Sequence, residues 1–126
     1  MELSQQVISL EYAKRLKELN VKQESLFYWC EYNSIVTNLH YCYERPDVKN
    51  EYSAFTTSEL GEMLPRLVMK DDVGYFLEIY IDCDGNWCVV YKGFLDSKLT
   101  HEYSQSEANC RAMMLIYLIE NGLVKV

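Results

Sequence analysis

The sequence predicts an α+β fold, an antiparallel sheet of four to five strands with helices on one face, in the order α-β-β-α-β-β-(β)-α. Three observations carry that prediction. Apolar residues recur at helical spacing near both ends of the chain, at Leu10, Ala13, Leu16 and Leu19 and again at Ala108, Ala112, Leu115 and Ile119. Between them lie two pairs of aromatic and β-branched runs, each pair joined through turn-forming residues. The chain has 126 residues, 49% of them hydrophobic, enough for a single domain over 1–126 that buries its own core without disulfides or a structural metal.

The first helix is predicted over residues 9–20. Ser9 can cap its start, Glu11, Lys14, Arg15, Lys17 and Glu18 supply the polar side, and the pattern stops near Asn20. Residues 26–32, rich in aromatics, read as a strand, Asn33-Ser34 as a turn and residues 35–39 as the returning partner. The stretch from Tyr43 to Ser53 has no apolar period and contains Pro46, so a surface loop is expected there. Thr56 and Glu59 stand at capping-box spacing ahead of Leu60, Met63 and Leu64, and Pro65 cuts that second helix short.

Residues 75–82 and 87–92 read as a second hairpin closed by Asp84-Gly85, a pair suited to the positive φ angles of a type I′ turn. A two-residue turn there pairs Asp82 with Trp87, Ile81 with Cys88, Tyr80 with Val89, Ile79 with Val90 and Glu78 with Tyr91. Leu77, Ile79, Ile81, Cys88 and Val90 then share an aliphatic face, while Phe76, Glu78, Tyr80, Trp87, Val89 and Tyr91 share the other. Leu99, His101 and Tyr103 alternate with polar residues as one more short strand. Ser104 and Glu107 are spaced as a capping box opening a last helix, which runs to Asn121-Gly122. That helix is apolar on nearly every side over 112–119, so burial on more than one flank is expected.

Charge narrows the function classes. Residues 25–103 hold thirteen acids and six bases, so the whole net charge of −7 lies in the middle of the chain. Nucleic-acid affinity comes from clustered Lys and Arg that release counterions, and no such cluster is present. The start of the chain lacks the basic flank and apolar run of a signal peptide, and no stretch is apolar enough to span a bilayer, so a cytoplasmic location with no membrane contact is expected. The cysteines, Cys30, Cys42, Cys83, Cys88 and Cys110, are odd in number and sit among apolar residues, as reduced thiols do.

Three stretches carry a family resemblance: residues 21–29 (VKQESLFYW), 57–65 (TSELGEMLP) and 111–121 (RAMMLIYLIEN). Together they resemble a group of short proteins of bacteriophages and of prophage regions, mainly in Bacteroidetes, to which no activity is assigned. The resemblance implies a phage-related accessory protein and moves no functional residue across.

Chemical constellations are thin. Asp82-Cys83-Asp84-Gly85-Asn86 begins like a calcium loop, but Trp87 occupies the place of the bending glycine and Gly93 that of the bidentate glutamate, so an ordinary turn is expected. Cys30, His40, Cys42, Cys83 and Cys88 lack the C-x2-C spacing of zinc knuckles, and neither a metal nor another cofactor is expected. His40 and His101 have no nucleophile signature beside them. Asp71-Asp72 and Glu59-Glu62 read as a turn and a helix start, and the five glycines form no phosphate loop.

Aromatic content is the feature left over, with eleven tyrosines and two tryptophans. Tyr and Trp also occur in strands simply to shield a sheet, but with helices on one face only, Phe76, Tyr80, Trp87, Val89 and Tyr91 would form an exposed patch of the kind that binds protein. The sequence therefore points to a non-catalytic module that pairs with itself or with a phage or host protein. A small regulator directed at nucleic acid, or an acidic mimic of it, is the alternative from another class, and an enzyme with an unrecognised site is the third.

Overall fold

The computed structural model describes residues 2–31, 37–41 and 50–126. Among these are three α-helices and seven strands, α1 (Leu10–Glu18), β1 (Phe27–Glu31), β2 (Thr37–Tyr41), β3 (Asn50–Ser53), α2 (Thr57–Met63), β4 (Leu67–Lys70), β5 (Val73–Ile81), β6 (Trp87–Lys92), β7 (Lys98–Ser104) and α3 (Glu107–Glu120). The class is α+β and all strand pairing is antiparallel. The strands divide into a three-stranded sheet, β2-β1-β3, and a four-stranded sheet, β4-β5-β6-β7, where one continuous sheet was expected. Two short strands account for the difference. Residues 50–53, expected as loop, pair with β1, and residues 67–70 emerge from Pro65 to pair with β5. The remainder of the expected loop and the Asn33-Ser34 turn lie outside the described residues.

Helix ends follow local chemistry. Ser9 stands at the N-cap of α1 in extended geometry, Glu11 occupies the first turn, and Arg15 and Lys17 the last, as the helix dipole favours. Asn20 ends it in the left-handed region at φ 68°. The Thr56–Glu59 capping box of α2 is present in both directions, Thr56 Oγ1 accepting from Glu59 N at 3.2 Å and Glu59 Oε1 accepting from Thr56 N at 2.9 Å. For α3 the cap is Ser106, whose Oγ accepts from Asn109 N, and Ser104 remains in β7. The Ser104–Glu107 spacing had suggested a box, but Glu107 sits at the first helical position, where its carboxylate turns along the helix to Arg111.

The core is organised around α3. Ala108, Cys110, Ala112, Met114, Leu115 and Leu118 are buried, one flank packing on β6 and β7 and another on α1 and α2. Instead of lying over the four-stranded sheet beside α3, α1 rests on β3 and α3. At the α2–α3 crossing, Arg111 donates to the Thr57 carbonyl and pairs with Glu107. A Cβ at Gly61 would meet the Arg111 guanidinium, the far end of a flexible side chain, so the glycine leaves Arg111 room for these contacts. A smaller cluster of Val7, Phe27 and Ala54 is joined to the main core through Trp29, whose indole donates to the Ile8 carbonyl at 2.9 Å.

Candidate functional site

The site residues expected from sequence depend on the β5–β6 register, and the structure shifts that register by one. Ile81 pairs with Trp87, Tyr80 with Cys88, Ile79 with Val89, Glu78 with Val90 and Leu77 with Tyr91. The Asp84-Gly85 pair does not form a type I′ turn. Only Gly85 has positive φ, at 81°, its N–H bonds to the Asp82 carbonyl, and Asp82 and Asn86 close a loop of three residues. This is a type I turn followed by a left-handed residue, the second common hairpin solution. Its cause is Asp82, whose carboxylate accepts from both Asp84 N and Asn86 N at 2.9 Å. The same hydrogen bonds, led by that from Asn86, hold the Asp82 carboxyl below the usual carboxylate range.

Because side chains alternate, a one-residue slip exchanges the faces. Trp87, Val89 and Tyr91 therefore point toward α3 with Leu77 and Ile79; Val89 and Tyr91 are fully buried and Trp87 packs half-buried beside them. Tyr91 donates to the Pro65 carbonyl at 2.6 Å, and burial raises the pKa of its phenol well above the ordinary value. Of the five expected interaction residues only Phe76 and Tyr80 lie on the outer face, and Cys88 and Val90, expected inside, join them there.

The outer face has two unlike halves. Toward the β5–β6 turn, Tyr80, His101 and Tyr103 gather with ring centroids about 6 Å apart, and Cys88 and Val90 beneath this half are buried. Toward the other end, Leu67 pairs with Phe76 and Met69 with Gly74, and the side chains of Leu67 and Met69 reach over Gly74. Among the described residues nothing covers this end. Phe76 is 63% exposed, and Leu67 and Met69 are exposed beside it, while Val73, paired with Lys70, is exposed on the opposite face.

Two tight turns extend the open end. Asp71 and Asp72, both with positive φ, join β4 to β5 in two residues. Between β6 and β7, Gly93 N bonds to the Ser97 carbonyl, and the tip holds Phe94 82% and Leu95 84% exposed. Leu95 has φ 55° and ψ 47°, a left-handed conformation that favours Gly, Asn or Asp over leucine. Sequence reasoning missed Leu67, Met69, Phe94 and Leu95. A signal was present: Phe94-Leu95 is an apolar pair between turn-forming Gly93 and Asp96-Ser97, too short for a strand of its own.

Catalytic alternatives find little geometry. Of the described cysteines, Cys30, Cys88 and Cys110 are buried and Cys83 is exposed. Cys110 Sγ lies 3.3 Å from the carbonyls of Trp87 and Glu102, and burial pushes its thiol up to about 11, the opposite of a reactive thiolate. Burial raises Cys88 as well, with the adjacent Asp82 adding to it. Among the described residues no three His, Cys, Asp or Glu side chains gather as metal ligands would, and no helix is long and apolar enough to cross a membrane. Comparison with protein-family models, with curated proteins and with solved structures gives no match for this chain.

Proposed function

We propose that this chain is a non-catalytic module that pairs with a second copy of itself through the open end of its four-stranded sheet. One observation carries the reading: five exposed large apolar side chains belong to that end, Leu67, Met69 and Phe76 on the outer face and Phe94 and Leu95 on the adjoining β6–β7 turn. Apolar surface concentrated in this way marks interaction sites, and the left-handed Leu95 spends backbone energy to hold a leucine in solvent.

Charge favours a like partner over an oppositely charged one. Around the open end Arg66, Lys70, Lys92 and Lys98 balance Asp71, Asp72, Glu78 and Asp96, so the net −7 lies entirely on other parts of the molecule. A two-fold contact brings the same patch together from both sides, and mixed signs let acids of one copy meet bases of the other. Two acidic molecules repel each other least where their surfaces are locally neutral. The resemblance to phage and prophage proteins supplies the setting, a phage-derived accessory protein acting in a bacterial cytoplasm.

Analytical ultracentrifugation across a concentration series tests the proposal. A concentration-dependent dimer is expected for the wild type, and a monomer for the Phe76→Ser, Phe94→Ser double variant. A wild type that stays monomeric at the highest concentration, or a double variant that dimerises unchanged, rejects it.

A further inference from the structure

A second site lies away from the open end, where the start of the chain meets the beginnings of α2 and α3. Here a cleft of about 680 Å³ falls within the size range of small-molecule sites. Ten of its thirteen lining residues carry a hydroxyl or a carboxamide, Trp87 is the one aromatic, and Glu107 is the one charged group. In a chain with 25% charged residues, so neutral a lining is a departure that asks for a reason.

The walls are fixed by hydrogen bonds. Asn109 Oδ1 accepts from Ser9 N at 2.8 Å, tying the start of α1 to α3, while Val7 bridges to Thr56 at the start of α2. The caps of α2 and α3 occupy the amides of Glu59 and Asn109 with the chain's own side chains. The cleft thus presents side-chain groups on a rigid frame, the arrangement that lowers the entropy cost of binding.

From this we infer that the cleft is a binding site for a neutral saccharide. Hydroxyls and carboxamides both donate and accept, as sugar hydroxyls require. An anion would find no basic side chain among the lining residues, and a cation would find only Glu107, already paired with Arg111. Trp87, half-buried, supplies the flat apolar surface against which the C–H face of a sugar ring can lie. Gln105 and Ser58, both exposed at the cleft, are among the groups placed to meet the ligand, as are the exposed Ser4, Gln5 and Gln6.

The test is a two-dimensional ¹H–¹⁵N titration of the intact chain with glucose, galactose, N-acetylglucosamine and maltose, with inorganic phosphate and adenosine as contrasts. At least one sugar is expected to give saturable shifts confined to residues 4–7, 56–58 and 105–109 and the Trp87 indole. The Ser58→Ala, Gln105→Ala double variant should weaken that binding by about tenfold, the loss of one or two hydrogen bonds, with an otherwise unchanged spectrum. Phe76→Ser should bind as wild type does, which keeps this inference separate from the self-association reading. No shift with any sugar, binding of phosphate or adenosine in their place, or a double variant that binds undiminished would overturn it.

Discussion

Tyr91 and Phe76 sit on neighbouring strands of one sheet, yet the first is sealed beneath α3 and the second stands 63% exposed. The inner face joins Val68, Leu77, Ile79, Val89 and Tyr91 to the core that also contains Leu115 and Leu118. Among the described residues the outer face has no helix over it; half of it is covered by Tyr80, His101 and Tyr103, and the other half is open. An aromatic side chain is therefore structural or available according to which way its strand position points. Aromatic content alone does not separate the two.

Substitutions on the two faces should differ in kind, and the largest effect belongs inside. Leu115→Asp places an unpaired charge in the core and should cost about 3–5 kcal/mol, read as a collapse of the thermal transition. Tyr91→Phe keeps the ring and removes the donor to the Pro65 carbonyl, so a loss of about 1–2 kcal/mol is expected in chemical denaturation. A Tyr91→Phe protein as stable as wild type would break the contrast between the faces. On the outside, the Phe76→Ser, Phe94→Ser double variant should keep its stability within about 0.5 kcal/mol while losing self-association.

Smaller effects sharpen the comparison. Leu95→Asn suits the left-handed conformation better than leucine does and should stabilise the monomer by up to about 1 kcal/mol while weakening association. Both changes can be read from denaturation and sedimentation of one variant. Smallest is the pH effect at Glu102, which pairs with Val89 and is raised above the ordinary carboxylate range by burial, with His101 opposing. A raised folded-state pKa means that the folded chain holds this proton more tightly. Its contribution to stability is full below the ordinary range and is lost as pH rises through the folded value. Glu102→Gln should therefore melt higher than wild type at neutral pH, and the gap should close in acid.

The legible parts of the fold are those decided by neighbours in sequence. Ser9 and Asn20 bound α1, Thr56 with Glu59 opens α2, and Asn121 with Gly122 ends α3 as their residue types require. Strands β3 and β4 were not legible, because four residues such as Asn50–Ser53 hold too few alternations to show a period and are strands only because β1 lies beside them. Phe76 and Tyr80 were placed on the outer face as the structure has them, Tyr80 in its covered half, whereas Trp87, Val89 and Tyr91 were assigned to the wrong face. The saccharide cleft was not legible, since its lining comes from four separate stretches of the chain.

By itself the amino-acid order determined the α+β class, the positions of the helices and the presence of a hairpin around Asp84-Gly85. Each rests on forces acting within a few residues: caps, periodicity and turn chemistry. Only the tertiary structure decided which side of that hairpin faces the core. A side-chain period of two makes the answer hinge on a single residue of register, and the register followed from the Asp82 carboxylate closing a wider turn while α3 packed over Val89 and Tyr91.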